Sequence, residues 1–220
     1  MIIPRKYFWS AIGLMLLPPA IGLLMLPHMP ASVPIHYGLA GQPDAFGSPR
    51  ALVAWCAVPT IVLGALILGL PGLGPLRANL ERCGVTYARI AVTILVAVAA
   101  INAVLLLRAA GWGIPVSSTL MVLVGLMLAV LGGWLPRLRR NFWVGIRTPW
   151  TLANDRVWEM THRRGAILMT LYGLSVAAAG VFAPPVASVV VIVAGAVVLV
   201  TWSLAYSLLI YRRLGATDDI

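Results

Sequence analysis

The sequence predicts an all-α integral membrane protein with six transmembrane helices and an amphipathic cytoplasmic segment before the fifth helix. Hydrophobic residues make up 61% of the 220 residues and charged residues only 10%, and the mean hydropathy is +0.97. A soluble domain is usually about half apolar and about one quarter charged. Six apolar runs are each long enough to cross a hydrocarbon layer of about 30 Å as a helix. A single soluble core is therefore excluded.

Prolines and one amide mark the predicted spans. Pro18 and Pro19 fall near the middle of the first span and Pro59 falls in the second, where proline removes backbone donors and kinks a helix. Asn102, the most polar residue of the predicted membrane core, is expected to hydrogen-bond a neighbouring helix. The predicted core contains no Asp, Glu, Lys or His, which argues against a proton-coupled pump. The six spans cover residues 7–26, 51–70, 90–107, 115–135, 166–183 and 186–210.

Small residues are expected where the helices contact one another. The hydrophobic effect does not drive helix association inside a membrane, and small side chains let two backbones approach closely enough for van der Waals packing. The fifth span offers Ser175, Ala178 and Ala179 for this purpose. The chain divides into three predicted segments. Residues 1–70 form a helix pair with an outer Pro/Gly-rich loop at 28–50, residues 71–135 form a central pair, and residues 136–220 form an inner loop and a C-terminal pair.

The basic residues predict the orientation. With six crossings, all but two of the 16 Lys and Arg residues fall on the side of the N-terminus, and only Arg50 and Arg108 fall on the other. Cytoplasmic loops are enriched in Lys and Arg. We therefore expect a multi-pass protein of the bacterial cytoplasmic membrane with both termini in the cytoplasm. Topology accounts for the net charge of +10, so that this charge is no argument for direct nucleic-acid binding.

The outer loop is rich in turn-forming residues, and Val33–Tyr37 within it predicts a short extended piece. His28, His36 and Asp44 together offer metal-binding atoms. Their spacing matches no standard site, and a turn with locally satisfied polar groups is the preferred interpretation. No metal and no cofactor is predicted.

The inner stretch 141–164 concentrates chemistry that a simple chain reversal does not need. Thr148 precedes a proline, which favours extended backbone followed by a turn. Thr151 or Asn154 is predicted to cap a helix, with Asp155 in its first turn complementing the helix dipole. That helix is expected to continue to residue 164 and into the fifth span.

Helical spacing places Trp158 and His162 on one face of this segment, and Glu159 and Arg163 on another. One interpretation is an interfacial belt, with tryptophans and arginines in the headgroup layer. Catalysis is a weaker interpretation. His162 has the chemistry of a general base and Thr151 or Thr161 that of its partner, but residues 141–164 contain no Ser or Cys. Pairing of Asp155 and Glu159 with Arg156 and Arg163 is preferred to a metal site. No catalytic residue is predicted, and the chain is predicted not to be an enzyme.

Two motifs resemble a known family. The inner stretch G-I-R-T-P-W followed by V-W-x-x-T-H-R resembles the SdpI family, named for the immunity protein against the sporulation-delaying-protein toxin. The outer loop resembles the short N-terminal domain of unknown function common in that family. The inner matching residues are Asn141, Gly145, Arg147, Thr148, Pro149, Trp150, Asn154, Trp158, Thr161, His162 and Arg163. The outer ones are Pro34, His36, Gly41, Asp44 and Gly47.

The resemblance implies an immunity or receptor protein embedded in the lipid bilayer. Its outer loop would meet a secreted peptide toxin, and its inner loop would recruit a cytosolic ArsR-type transcriptional repressor to the membrane. The alternative is a small-molecule or lipid-handling membrane protein, either a transporter or a membrane enzyme that uses the inner loop.

Overall fold

The computed structural model describes residues 2–73 and 76–215, and within them six helices are long and apolar enough to cross a membrane. The predicted six-helix membrane architecture is confirmed. The fifth crossing helix begins at residue 155 rather than 166, because the predicted amphipathic segment is its first part. In chain order the helices are α1 (Arg5–Met25), α2 (Pro49–Gly69), α3 (Arg77–Arg82), α4 (Gly84–Ala109), α5 (Val116–Trp134), α6 (Pro149–Ala153), α7 (Asp155–Phe182) and α8 (Pro185–Gly215), of which α3 and α6 are short.

A two-stranded antiparallel hairpin joins α1 to α2. Strand β1 (Val33–Tyr37) is the predicted extended piece, and it pairs with β2 (Pro43–Gly47), which the sequence did not predict. Gly41 lies in the connecting turn at φ +78°, a conformation that glycine adopts at little cost. The hairpin is the part of the described fold that departs from the all-α expectation.

The hairpin lies at one end of the bundle, here called the hairpin end. A Cβ added to Gly41 would lie 3.0 Å from Ser117 Oγ and 3.2 Å from Pro185 Cγ, so the turn rests on the first residues of α5 and α8. At the opposite end, called the motif end, the Asn79 amide of α3 donates to the carbonyl of Arg140 at 3.1 Å. The N-terminal Ile3 packs there in the same buried cluster as Leu138.

Helices α5 and α7 pack with their backbones in contact through glycine. A Cβ added to Gly125 of α5 would overlap the backbone of Ala177, and one added to Gly173 of α7 would overlap the backbone of Ala129. Small residues therefore do join these helices, as expected inside a membrane. The expected face was wrong in part, because Ser175 and Ala178 are exposed while Ala179 is buried.

The predicted role of Asn102 is confirmed. Its side-chain amide on α4 donates to Thr60 Oγ1 at 2.8 Å and to the carbonyl of Cys56 at 3.2 Å, both on α2. Thr60 Oγ1 in turn donates to the Cys56 carbonyl at 2.7 Å. Since a buried polar group is costly unless it is hydrogen-bonded, this cluster fixes the register of α4 against α2.

Candidate functional site

The candidate site is the motif loop, residues 138–154, together with the first two turns of α7. Asn141 is fully buried and organises the beginning of the loop. Its side-chain nitrogen donates to the carbonyls of Arg139 and Val144, and its side-chain oxygen accepts from the backbone N–H groups of Trp143 and Val144. Four hydrogen bonds from one amide hold residues 139–144 in a closed turn.

His162 joins this turn to α7. Its Nε2 accepts the backbone N–H of Ile146 at 2.9 Å, and its Nδ1 lies 2.8 Å from the carbonyl of Trp158. Because Nε2 accepts, Nδ1 carries the ring proton and donates to that carbonyl. Both ring nitrogens are therefore occupied, and only 1% of the residue is exposed. Such an imidazole is a brace for the loop and is not free to act as a general base.

Trp158 completes the brace. Its ring stacks on the His162 ring with centroids 4.0 Å apart, and its Nε1 donates to the carbonyl of Leu138 at 2.9 Å. The residue is only 2% exposed. The predicted shared face of Trp158 and His162 is confirmed, but that face is turned inward. The interfacial-belt interpretation is therefore wrong for Trp158.

Gly145 is needed where the loop passes over this ring pair. Its φ is +120°, and an added Cβ would overlap His162 Nε2 and lie 3.1 Å from the Trp158 ring. Both the backbone conformation and the space exclude a side chain. The glycine allows the next residue, Ile146, to bring its N–H onto the imidazole.

Thr148 and Thr151 form a capping box at α6, in which each side chain binds the backbone of the other. Thr148 Oγ1 also donates to Ser207 Oγ of α8 at 3.0 Å, and Thr151 Oγ1 donates to the carbonyl of Ile146 at 2.8 Å. The loop is thus tied to α8 as well as to α7.

Asn154 caps α7. Thr151, the other predicted candidate for this cap, does not. The Asn154 side chain accepts the N–H groups of Arg156 and Val157. Glu159 pairs with Arg163 at 3.8 Å on the exposed face. Asp155 pairs with Arg140 at 2.7 Å instead of with Arg156, because the folded loop returns Arg140 to the start of α7.

The remaining predicted motif residues differ in how far their side chains are exposed. Thr161 is fully buried, and its hydroxyl has no hydrogen-bond partner within the described residues. Trp150 is half-buried, and Pro149 and Arg163 are exposed. Arg147 is also exposed, and its Nη1 donates to the carbonyl of Phe142 at 2.6 Å.

The outer motif residues lie in the hairpin, far from the motif loop. His36 Nδ1 and Asp44 Oδ1 are 2.6 Å apart across the two strands, and both side chains are largely exposed. Pro34 pairs with Phe46, Gly47 ends β2, and Gly41 forms the turn. Within residues 2–73 and 76–215, no three side chains from His, Cys, Asp and Glu meet as a metal site would require.

Sequence reasoning missed three residues that support the loop: Asn79, Arg140 and Ser207. Arg140 donates to the carbonyl of Leu152 at 2.7 Å besides pairing with Asp155. Arg140 stands next to Asn141 in a basic run, which was the available signal. Ser207 is 59 residues from Thr148, and nothing local in the sequence predicts that contact.

The fold and the loop define a multi-pass membrane protein with an ordered loop at one end and a β-hairpin at the other. Residues 137–207 match the SdpI/YfhL protein family, and residues 13–63 match a domain of unknown function, DUF1648. Over residues 137–207 the chain is therefore similar to the SdpI/YfhL family. The first match corresponds to the motif loop with α7 and most of α8, and the second to the hairpin with the adjoining parts of α1 and α2.

A curated relative is "Immunity protein SdpI" of Bacillus subtilis (strain 168). It is 27% identical over 112 residues, which are 51% of this chain and 54% of the relative. The match thus spans about half the length of that protein. No solved structure matches the chain.

Proposed function

We propose that this chain is a membrane immunity protein that protects its cell against a secreted peptide toxin. The observation that carries the proposal is the pairing of the motif loop with the hairpin in one six-helix fold, in a chain similar to an immunity protein. The hairpin supplies a surface beyond one end of the bundle, and the motif loop supplies an ordered surface at the opposite end. This arrangement suits a protein that binds a toxin on one side of a membrane and contacts a regulator on the other.

The hairpin is the proposed surface for the toxin. Ile35, Leu39 and Phe46 are apolar and exposed there, with Leu39 at 69% and Phe46 at 60%. Exposed apolar side chains grouped on a small hairpin favour binding of an apolar partner. The exposed His36–Asp44 pair beside them adds a polar contact point.

The motif end is the proposed cytoplasmic surface, and its proposed partner is a cytosolic ArsR-type repressor. A polar cleft of about 440 Å³ lies there, bounded by α3, the start of the motif loop and the start of α7. Four arginines line it, and two acids accompany them. Such a surface favours an acidic segment of a partner, since complementary charge guides association. The charged residues of the cleft are Arg82, Arg137, Arg139, Arg140, Asp155 and Glu159.

A non-catalytic role is part of the proposal. The occupied ring nitrogens of His162 support it, because a general base needs a nitrogen within reach of substrate. The deep burial of Thr151 and Thr161 supports it as well. The transporter or membrane-enzyme alternative gains no such support from the motif loop.

Expression of the full chain in a strain sensitive to the toxin after which the family is named is expected to raise the half-killing dose at least about tenfold. Phe46→Ser is expected to remove most of this protection, because it deletes the largest exposed apolar side chain of the hairpin. Leu73→Ser is the matched control, since Leu73 is 81% exposed at the motif end. Unchanged killing by the toxin despite normal membrane levels of the wild type would contradict the proposal.

The same strain gives a second readout. A fluorescent ArsR-type repressor is expected to move to the membrane when toxin is added and to stay in the cytosol without it. Protection without movement of the repressor would support the immunity function and refute the signalling part of the proposal.

Cysteine labelling tests the proposed orientation. Gln42→Cys in the hairpin is expected to react with an impermeant maleimide in intact cells, whereas Arg156→Cys is expected to react only after permeabilisation. Both positions are exposed. The native thiols give little background, because Cys56 and Cys83 are buried and burial raises the pKa of the Cys83 thiol. Labelling of both introduced cysteines from the same side would refute the six-crossing topology.

A further inference from the structure

The motif end carries an apolar groove that the proposed function does not use. Its volume is about 420 Å³, within the roughly 300–1,000 Å³ typical of small-molecule sites. Four helices line it, through Ile94 of α4, Leu131 of α5, Met169 of α7 and Leu204 of α8. Residues 144–148 of the motif loop line it as well. The segment that belongs to the family motif therefore forms part of this groove.

The polar groups of the groove are almost all occupied. Ser203 Oγ donates to the carbonyl of Leu199 at 2.7 Å, and Thr148 Oγ1 donates to Ser207 Oγ at 3.0 Å. Arg147 is different, because it is exposed and, within residues 2–73 and 76–215, its side chain makes one hydrogen bond, through Nη1. The ion pairs among the described residues involve other arginines, so that no carboxylate there neutralises Arg147. An occupant that fits is apolar along its length and carries one anionic group.

The groove lies in the half of the bundle nearest the motif end. Ile94 lies ten residues beyond the first residue of α4, which is about 15 Å along a helix that rises 1.5 Å per residue. That distance is about half of a hydrocarbon layer roughly 30 Å thick. An acyl chain lying in the groove therefore brings its headgroup to the end of the bundle where Arg147 is exposed. The planar guanidinium fork suits a phosphate group.

We propose that this groove binds one anionic glycerophospholipid of the adjacent monolayer, with an acyl chain against α4, α5, α7 and α8 and its phosphate on Arg147. The occupant is assigned by charge complementarity. An arginine that pairs with no carboxylate among the described residues, beside an otherwise satisfied apolar groove, favours a headgroup with net negative charge over a zwitterionic one. This proposal does not depend on toxin binding or on which side of the membrane the motif end faces.

Native mass spectrometry of the full chain in mild detergent tests the proposal. Phosphatidylglycerol and phosphatidylcholine with identical acyl chains are added separately. The wild type is expected to retain one phosphatidylglycerol at a concentration at least about tenfold below that needed for phosphatidylcholine. Arg147→Ala is expected to remove this preference, and Arg147→Lys is expected to keep part of it. Val200→Trp is expected to abolish retention, because Val200 lines the groove yet is 59% exposed and has room for a larger side chain.

Arg164→Ala is the matched control, since Arg164 is an exposed arginine of α7 that does not line the groove. Its lipid retention is expected to equal that of the wild type. Thermal unfolding of every variant is measured first, and Arg147→Ala decides the question if Val200→Trp does not fold. Equal retention of the two lipids by the wild type, or a preference unaltered in Arg147→Ala, overturns the proposal. A dimer that disappears in Val200→Trp overturns it too, because it assigns the groove to a second copy of the chain.

Discussion

Gly173→Leu is expected to lower the thermal unfolding midpoint in detergent by about 6–12 °C. Even a methyl group at this position overlaps the backbone of Ala129 on α5, so an isobutyl group forces the two helices apart. Overpacking costs about 1–3 kcal/mol, and displacement of backbone places this variant at or above the upper value. For a chain of this length, each kcal/mol shifts the midpoint by about 2–4 °C.

Ser175→Leu is the matched control for this substitution. It adds a leucine two residues further along α7, on the exposed face. Its midpoint is expected to change by less than about 2 °C, since surface substitutions are usually within about 0.5 kcal/mol. Equal destabilisation by the two variants would contradict the close α5–α7 contact, because it would mean that leucine is harmful anywhere on the helix.

His162→Leu is expected to open the motif loop while the bundle remains folded. Leucine fills part of the space but cannot accept the N–H of Ile146, and a buried unsatisfied donor costs about 1–3 kcal/mol. Loss of the stacking on Trp158 adds about 0.5–1.5 kcal/mol. Since about 1.4 kcal/mol is a factor of ten, hydrogen exchange at the Ile146 amide is expected to accelerate about 10- to 1,000-fold.

Limited proteolysis gives an independent measure of the same opening. Trypsin cleavage after Arg147 is expected to become faster in His162→Leu, because the backbone around that residue is released from α7. Arg163→Ala is the control at the neighbouring position, where only an exposed ion pair is lost, and such pairs contribute about 0–1 kcal/mol. Unaltered exchange and cleavage in His162→Leu would refute the brace.

The apolar runs were sufficient to predict the six crossings, because a helix that crosses a membrane needs a minimum length and an apolar composition. Both can be read directly from the sequence. The hairpin was half predictable. Val33–Tyr37 is rich in strand-forming residues, but Pro43–Gly47 contains Pro, Asp and Gly, which strands disfavour. Its strand conformation comes from pairing with β1.

The motif loop shows the same division between local and distant information. Helical spacing was enough to bring Trp158 and His162 together, and capping preference was enough to offer Asn154. No local rule predicts that the His162 ring accepts the Ile146 amide, 16 residues away. The Arg140–Asp155 pair and the groove were unpredictable for a similar reason, since both require the loop to fold back over α7. Their existence depends on tertiary structure.

Helix α8 has a consequence for how the two ends of the molecule relate. Its first residue, Pro185, lies against the hairpin turn at Gly41, and its Ser207 accepts the hydroxyl of Thr148 in the motif loop. These two points are about 33 Å apart along one uninterrupted helix that rises 1.5 Å per residue. α8 is thus a single helix that contacts the hairpin at one end of the bundle and the motif loop at the other. A ligand that displaced its hairpin end along the axis would strain the Thr148–Ser207 hydrogen bond, together with the hydrogen bonds that join Ser188 and Ile192 of α8 to α7.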